Sequence, residues 1–296
     1  MPKIAVNGTA LYYEETGAAS NPPVLLVHGV GTQLTRWPQA FTEQLAARGY
    51  RVIRIDTRDV GLSDGFDEAG VPDFKAIVAA RLSGQPVRVP YTLDDMAADA
   101  AALLDALDID RAHVVGASMG GMIVQLMAIN HPHKVASLTS IMSTTGNPAL
   151  PGPTPEAQAV LTGKWTDPRV DRETFLDESV AATRVIGSPA YPETPELMRA
   201  NAAIDLDRAY RPAGFARQYA AILAAYDRRD KLRTLSVPAV VIHGTDDPLV
   251  RVEAGRETAA CIPGAEMVEV PGMGHNIPAP LYGVVIDAIE RAVRRA

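Results

Sequence analysis

The sequence predicts an α/β fold whose doubly wound, mostly parallel central sheet has about eight strands and carries an inserted helical lid. Short apolar runs alternate with stretches that place apolar residues at helical spacing, which is the pattern of a sheet covered on both faces. This rhythm of strands stops between positions 144 and 235 and then resumes. With 296 residues, of which 47% are hydrophobic, the chain is long enough to build a large buried core.

The individual strands are predicted from the apolar runs. The first two form an antiparallel hairpin in KIAVNGTALYYEE, where Asn7 and Gly8 supply the turn. The other six are placed at positions 23–28, 51–56, 112–116, 138–143, 237–242 and 267–270. Between two of these strands, apolar residues from Leu93 to Leu107 recur on one helical face, and positions 284–293 form a closing helix. The order of elements predicts a core domain made of residues 1–143 and 236–296.

Residues 144–235 are expected to form the helical lid. Closely spaced prolines lead into helical stretches near positions 173–186, 195–204 and 214–228. A lid above the strand ends encloses a site and selects substrates, and we expect it to contribute nothing to the chemical step because no candidate catalytic residue lies in it. The alternative is that these helices only thicken the scaffold. A second insertion, 66–90, contains an amphipathic run at 74–82 that is expected to add a wall to the same cleft.

The candidate nucleophile is Ser118, at the centre of a GxSxG motif in VVGASMGG. The run AHVVGA before it predicts a buried strand, and MIVQLMAINH after it predicts a helix. A serine on the tight turn between them is pushed into a cleft, and Gly116 and Gly120 are needed because a Cβ there would collide with the neighbouring strand and helix. The five letters alone fit an ordinary tight turn equally well, and the flanking elements favour the nucleophile.

A serine hydroxyl needs a base, and the base needs an orienting acid, in the chain order serine, acid, histidine. Asp247 follows the strand predicted at 237–242, so its carboxylate faces the same sheet edge as Ser118. Asp246 is the alternative and is expected to be a turn or capping residue. His275 lies on the glycine-rich loop after the last strand, and it alone of the six histidines lies on a loop after the acid. The expected general base is therefore His275.

The oxyanion formed in acyl transfer needs two backbone N–H donors. Met119, directly after the nucleophile, is expected to supply the first. The second is expected from Val30 in HGVG, at the end of the strand PPVLLV, with Gly31 as the alternative donor. The residues HGVG would also fit a glycine-rich strand end that has no role in catalysis.

Taken together, HGVG, DTRDVGLSD, RAHVVGASMGG, HGTDDPLV and PGMGH resemble the α/β-hydrolase superfamily in its esterase branch. These segments occur in the order that the superfamily has and, with the elements between them, extend over nearly the whole chain. The stretches RDVGLS and RAHVVGASMG are most similar to methylesterases that act on anthracycline polyketides and to related uncharacterised esterases. Many relatives have RGxGxS where this chain has Asp59 in the position of the first glycine, so the substrate of those relatives is not carried over.

The predicted function is hydrolysis of carboxylic esters by a serine, histidine and aspartate acyl-enzyme mechanism. Haloalkane dehalogenases and epoxide hydrolases resemble the superfamily but use a carboxylate nucleophile, so Ser118 disfavours both. Lactonase, C–C bond hydrolase and cofactor-free perhydrolase activities share these residues and stay open. The alternative from another class is a hydrolase-fold ligand-binding protein with negligible turnover. Substrate contacts are expected at Gly31, Trp37, Met122 and Met142, although each of the larger side chains fits the core equally well.

Composition and charge narrow the class of protein further. No apolar stretch long enough to span a membrane and no basic, apolar leader is found, so a cytoplasmic protein without a membrane anchor is expected. The single cysteine, Cys261, excludes an intramolecular disulfide and fits a reducing compartment. A net charge of −7 argues against nucleic acid as a partner. No metal-binding motif is found, and neither a metal nor a cofactor is expected. The partner is expected to be a small-molecule ester, and the sequence indicates no oligomeric state.

Overall fold

The computed structural model describes residues 3–296, and over this range it contains one eight-stranded sheet. The strands are β1 Lys3–Val6, β2 Thr9–Thr16, β3 Pro23–Val27, β4 Arg51–Ile55, β5 Ala112–Ala117, β6 Val135–Ile141, β7 Ala239–Gly244 and β8 Glu266–Val270. Their order across the sheet is β1, β2, β4, β3, β5, β6, β7, β8. The first two strands pair antiparallel to their neighbours, and the other six run parallel. The predicted doubly wound α/β fold, its opening hairpin and its strand number are confirmed.

The helices follow the strands along the chain. They are α1 Gln39–Ala47, α2 Phe74–Leu82, α3 Leu93–Ala106, α4 Met119–Asn130, α5 Pro155–Thr162, α6 Arg172–Ile186, α7 Pro195–Arg208, α8 Pro212–Ala224, α9 Arg229–Leu232, α10 Val252–Cys261 and α11 Tyr282–Val293. Within residues 3–296, no helix is both long and apolar enough to cross a membrane.

Alternation along each strand sends side chains into two apolar layers, one on each face of the sheet. In β3, Leu25 and Val27 pack in the layer that contains α3 and α4. Their neighbours Val24 and Leu26 pack in the opposite layer with α1 and α11. All four side chains are 0% exposed. Because successive residues of a strand point to opposite faces, a run of apolar residues without alternation is the expected sequence of such a strand.

The segment 144–235 adds α5 to α9 without a strand, in agreement with the helical stretches predicted there. Helices α5, α7 and α8 each begin with proline, whose fixed φ and missing N–H suit the first helical position. Helix α8 ends at Ala224, four residues earlier than predicted, because Ala225 is extended. The amphipathic run predicted at 74–82 is helix α2, which packs against α8.

Candidate active site

The turn between β5 and α4 holds Ser118 in a backbone conformation that residues with a side chain rarely adopt, with φ 56° and ψ −120°. A Cβ on Gly116 would lie 2.1 Å from the carbonyl oxygen of Gly120. A Cβ on Gly120 would lie 2.1 Å from the carbonyl oxygen of Val27 in β3. Both glycines are therefore required by the close approach of backbone, as the motif predicts. The strained turn presents the Ser118 hydroxyl at the carboxyl edge of the sheet.

Three side chains that the sequence singled out form one hydrogen-bonded chain. His275 Nε2 lies 3.0 Å from Ser118 Oγ. On the other side of the ring, His275 Nδ1 lies 2.7 Å from Asp247 Oδ2. Each residue follows the carboxyl end of a different parallel strand, β5, β7 or β8, which is why residues distant in sequence meet here. In the tautomer with the proton on Nδ1, Nε2 can accept the proton of the serine hydroxyl.

Asp247, rather than its neighbour Asp246, carries the carboxylate that reaches His275. The second oxygen of Asp247, Oδ1, accepts backbone N–H groups of Leu249 and Val250 at 2.8 and 2.9 Å. Burial opposes its ionisation, but electrostatic interactions and hydrogen bonds with His275 and His243 outweigh burial and hold the pKa of Asp247 well below its usual value. Asp246 is exposed and accepts from the Gly272 N–H at 3.0 Å, as a turn residue does.

The loop that carries His275 is fastened from outside the core. The backbone N–H of His275 donates to the carbonyl oxygen of Ile186 at 2.6 Å. The N–H of the preceding residue, Gly274, donates to Ser188 Oγ at 2.9 Å. A Cβ on Gly274 would lie 2.1 Å from the carbonyl oxygen of Gly187, so the two chain segments touch through backbone. Residues 186–188, at the end of α6, therefore help to fix the position of the His275 imidazole.

The two backbone N–H groups expected to bind an oxyanion, those of Val30 and Met119, belong to segments next to Ser118. A Cβ on Gly29 would be 3.1 Å from Ser118 Cβ, so the turn after β3 lies directly against Ser118. Within residues 3–296, neither the Val30 N–H nor the Met119 N–H donates a hydrogen bond. The N–H of Gly31 is occupied, because it donates to Gln218 Oε1 at 2.7 Å. Of the two donors that the sequence offered after β3, Val30 is the one left available.

His28 contributes to the same turn as a neutral ring. Burial, together with the positive charges of Arg36 and His275, lowers its pKa to about 3. Its Nδ1 accepts the Gly29 N–H at 2.7 Å, which places the ring proton on Nε2. Because it stays uncharged, His28 adds no positive charge beside His275.

The side chains expected to contact substrate lie mostly in the core. Trp37 is 1% exposed and packs its ring against His28. Met142 is also 1% exposed and has a φ of 41°, directly after β6, while Met122 on α4 is 6% exposed. Gly31, with a φ of 64°, lies under the ring of Phe215, since a Cβ on this glycine would be 2.5 Å from Phe215 Cδ2.

The departure at Asp59 from the pattern RGxGxS has a structural explanation. Asp59 has a φ of 70°, a conformation that glycine adopts without strain and that aspartate tolerates better than most residues. Its carboxylate forms a two-pronged ion pair with Arg217 of α8, with both N–O distances 2.7 Å, and accepts from the Tyr91 hydroxyl at 2.7 Å. Both charged side chains are at most 1% exposed. The acid in place of glycine is thus fastened to the inserted segment.

Sequence reasoning missed the residues of 144–235 that touch the site. Gln218 and Arg217 are polar side chains within an otherwise apolar stretch of α8, and they are 0% and 1% exposed. Two polar residues within this apolar stretch were the sequence signal that could have identified a contact with the site. Among residues 3–296, no three His, Cys, Asp or Glu side chains are grouped as a metal site would require.

A family model for the alpha/beta hydrolase fold matches residues 22–279. The match extends over most of the chain, and the chain therefore belongs to the alpha/beta hydrolase fold family.

Particular relatives narrow the comparison. The rhodomycin D methylesterase DauP of Streptomyces sp. strain C5 is 28% identical, over 99% of this chain and 98% of that protein. A 2-hydroxy-6-oxononadienedioate/2-hydroxy-6-oxononatrienedioate hydrolase of Paraburkholderia phymatum is 31% identical, over 90% of this chain and 86% of that protein. Among solved structures, a thermophilic esterase from Thermogutta terrifontis is 26% identical with a TM-score of 0.68, over 99% of this chain and 96% of that one. The expected similarity to methylesterases is confirmed.

Proposed function

We propose that the protein is a serine esterase that hydrolyses a small-molecule carboxylic ester through an acyl-enzyme. The observation that carries the proposal is the hydrogen-bonded chain from Ser118 through His275 to Asp247, with distances of 3.0 and 2.7 Å. The chain ends at a serine on a strained turn, and within residues 3–296 the N–H groups of Val30 and Met119 donate no hydrogen bond. Nucleophile, base, orienting acid and oxyanion donors are the parts that acyl transfer needs.

In the first half of the reaction, His275 Nε2 takes the proton of Ser118 Oγ while the oxygen attacks the ester carbonyl carbon. The carbonyl oxygen becomes an oxyanion, which accepts hydrogen bonds from the Val30 and Met119 N–H groups. The tetrahedral intermediate collapses, and His275 passes its proton to the departing alcohol. Asp247, kept ionised by its partners, stabilises the imidazolium that exists between these two transfers.

In the second half, His275 removes a proton from a water molecule that attacks the acyl group on Ser118. A second oxyanion forms against the same two N–H groups and collapses to release the carboxylic acid. The proton returns from His275 to Ser118 Oγ, which restores the starting state.

We further propose that residues 144–235 act as the lid above this site and, with 1–143 and 236–296, divide the chain as the sequence predicts. Phe215 of α8 supports this division, because its ring covers Gly31 beside the nucleophile. Such a ring would form part of the wall that selects the acyl or alcohol group.

Hydrolysis of a C–C bond by the same residues is the second candidate. It is favoured by the relative from Paraburkholderia phymatum, which is 31% identical and is named as a hydrolase of a 2-hydroxy-6-oxo dienedioate. A lactone is a cyclic ester and requires no change in the mechanism.

One screen tests these candidates together. Purified protein is assayed on esters graded by acyl length and alcohol bulk, on small lactones and on a 2-hydroxy-6-oxodienoate, with Ser118→Ala as the matched control. Sustained turnover of an ester that Ser118→Ala abolishes supports the proposal. A single burst of product followed by negligible turnover favours a ligand-binding protein. Turnover of the dienoate alone favours the C–C hydrolase.

A further inference from the structure

Gln218 is a buried amide that connects the inserted segment to the turn after β3. Its Oε1 accepts the Gly31 N–H at 2.7 Å. Its Nε2 donates to Thr57 Oγ1 at 2.9 Å and to the carbonyl oxygen of Arg58 at 2.7 Å. The Gly31 N–H can only donate and the Arg58 carbonyl can only accept, so these two partners fix which end of the amide is the oxygen. Both ends of the amide are therefore hydrogen-bonded.

The hydrogen bond to Gly31 completes the fastening of the turn on which Val30 lies. The Thr32 N–H donates to the carbonyl oxygen of Gly29 at 3.2 Å, and Thr32 Oγ1 donates to the carbonyl oxygen of Val30 at 3.1 Å. In a trans peptide, the C=O and the N–H point in opposite directions. Since the Gly29 carbonyl points to Thr32, the N–H of the same peptide, which belongs to Val30, points the other way.

Without Gln218, the peptide between Val30 and Gly31 would keep only its bond through the carbonyl. Glycine at position 31 allows that peptide to rotate, because it adopts positive and negative φ about equally well. Rotation of this peptide changes ψ of Val30. The neighbouring peptide, which carries the Val30 N–H, is then less firmly held in its orientation. The Gly31 N–H would also lose its acceptor in a partly buried place.

Gln218 can fix the turn because α8 itself is fixed. Arg217, the preceding residue, is held by the ion pair with Asp59, at 2.7 Å and 1% exposure or less. A Cβ on Gly214 would lie 2.1 Å from the carbonyl oxygen of Asp59, so the helix backbone touches this loop. The helix turn that precedes Gln218 is thus held against this loop at two positions, Gly214 and Arg217.

We propose that Gln218 is a positioning residue that holds the Val30 N–H in the direction of the oxyanion. The inference rests on the proposed function, because it assigns Gln218 a task in stabilising the transition state of acyl transfer. It also revises the expectation that residues 144–235 contribute nothing to the chemical step. Removal of one oxyanion donor costs about 10²–10³ in kcat in other hydrolases. Gln218 orients a donor and does not replace it, so its loss should cost roughly 10–100-fold.

The test compares two variants on the best ester from the screen. Gln218→Met keeps the length of the side chain and removes every hydrogen bond. The matched control is Gln125→Met, because Gln125 is equally buried, at 0% exposure, and its hydrogen bonds go to Arg228 and Ser140.

Gln218→Met should lower kcat roughly 10–100-fold and change KM less than about threefold, because the interaction strengthens only as the oxyanion forms. Affinity for a trifluoromethyl ketone analogue of the ester should fall by the same factor. Gln125→Met should leave kcat within about twofold of the wild type. A kcat of Gln218→Met equal to that of the control, or a fall in kcat with unchanged affinity for the ketone, would overturn the proposal.

Amide hydrogen exchange over residues 29–33 gives a readout that does not depend on activity. The Gly31 amide should exchange slowly in the wild type and faster in Gln218→Met, with no change in Gln125→Met. If Ser118→Ala keeps the ester activity, the proposed function fails, and exchange still decides whether Gln218 holds the turn. Unchanged exchange in Gln218→Met would overturn the positioning role even in an active esterase.

Discussion

Replacement of Asp247 by asparagine should reverse the tautomer of His275. In the wild type, Asp247 Oδ1 accepts two backbone N–H groups, and Oδ2 accepts the His275 Nδ1 proton. An amide must turn its NH₂ group towards one of these positions. If the NH₂ group faces the backbone, the two hydrogen bonds from the backbone N–H groups are lost. If it faces His275, one hydrogen bond is lost, and the ring can replace it by accepting from the NH₂ group at Nδ1. At about 1 kcal/mol for each bond, the second orientation is favoured by about 1–2 kcal/mol.

With Nδ1 as acceptor, the ring proton lies on Nε2 and points at Ser118 Oγ. Nε2 can then no longer take the serine proton. In a trypsin-like protease, the corresponding change costs about 10⁴ in kcat, which is about 5.4 kcal/mol of transition-state stabilisation. We expect Asp247→Asn to lose activity on this scale in an assay of kcat and KM on the preferred ester.

Asp246→Asn is the matched control, since its side chain is exposed and the asparagine oxygen can still accept from the Gly272 N–H. Its kcat should stay within about twofold of the wild type. Thermal unfolding of both variants verifies that the fold is kept. Equal losses in the two variants, or a larger loss at Asp246, would refute the reasoning.

Three further predictions follow from the geometry. Ser118→Ala should lower kcat by about 10⁴–10⁶ and prevent labelling by a small fluorophosphonate, measured by mass spectrometry, and retained turnover would contradict the assignment. Gly120→Ala should lower the free energy of unfolding in urea by about 1–3 kcal/mol, because its Cβ would meet a carbonyl oxygen at 2.1 Å, whereas Gly283→Ala, with no atom within 4 Å, should not. Burial opposes ionisation of Asp59, but Arg217 and its other partners keep its pKa below the ordinary value, so its stabilising contribution is present near neutrality and is lost as pH falls through that lowered pKa. The difference in unfolding free energy between wild type and Asp59→Asn should therefore shrink towards low pH, and a constant difference would contradict the ion pair.

The fold was predictable because its elements have strong local patterns. Each parallel strand is a short apolar run, since side chains on both faces are buried. The turn between β5 and α4 requires glycine at positions 116 and 120, because a Cβ there would collide with backbone. Chain order then restricted the acid and base to a few positions after the nucleophile. The structure adds the distances that bring Ser118, His275 and Asp247 together.

The support of the site from residues 144–235 was not predictable in the same way. Gln218 and Ser188 each accept a hydrogen bond from one backbone N–H group of a loop that is distant in sequence. The residues next to Gln218 and Ser188 in the sequence do not indicate which loop that is. Asp59 could be recognised as a departure from a glycine pattern, but its pairing with Arg217, 158 positions further along, depends on how α8 packs. Such long-range hydrogen bonds are decided by tertiary structure, which periodicity does not encode.

The ion pair between Asp59 and Arg217 has a consequence for engineering by recombination. A chimaera that takes residues 144–235 from a relative without an arginine at the position of Arg217 would leave the buried Asp59 carboxylate unpaired. The reverse transfer would bury Arg217 without the Asp59 carboxylate. A chimaera should therefore exchange α8 together with residues 56–61, two segments that are distant in sequence but joined by this ion pair.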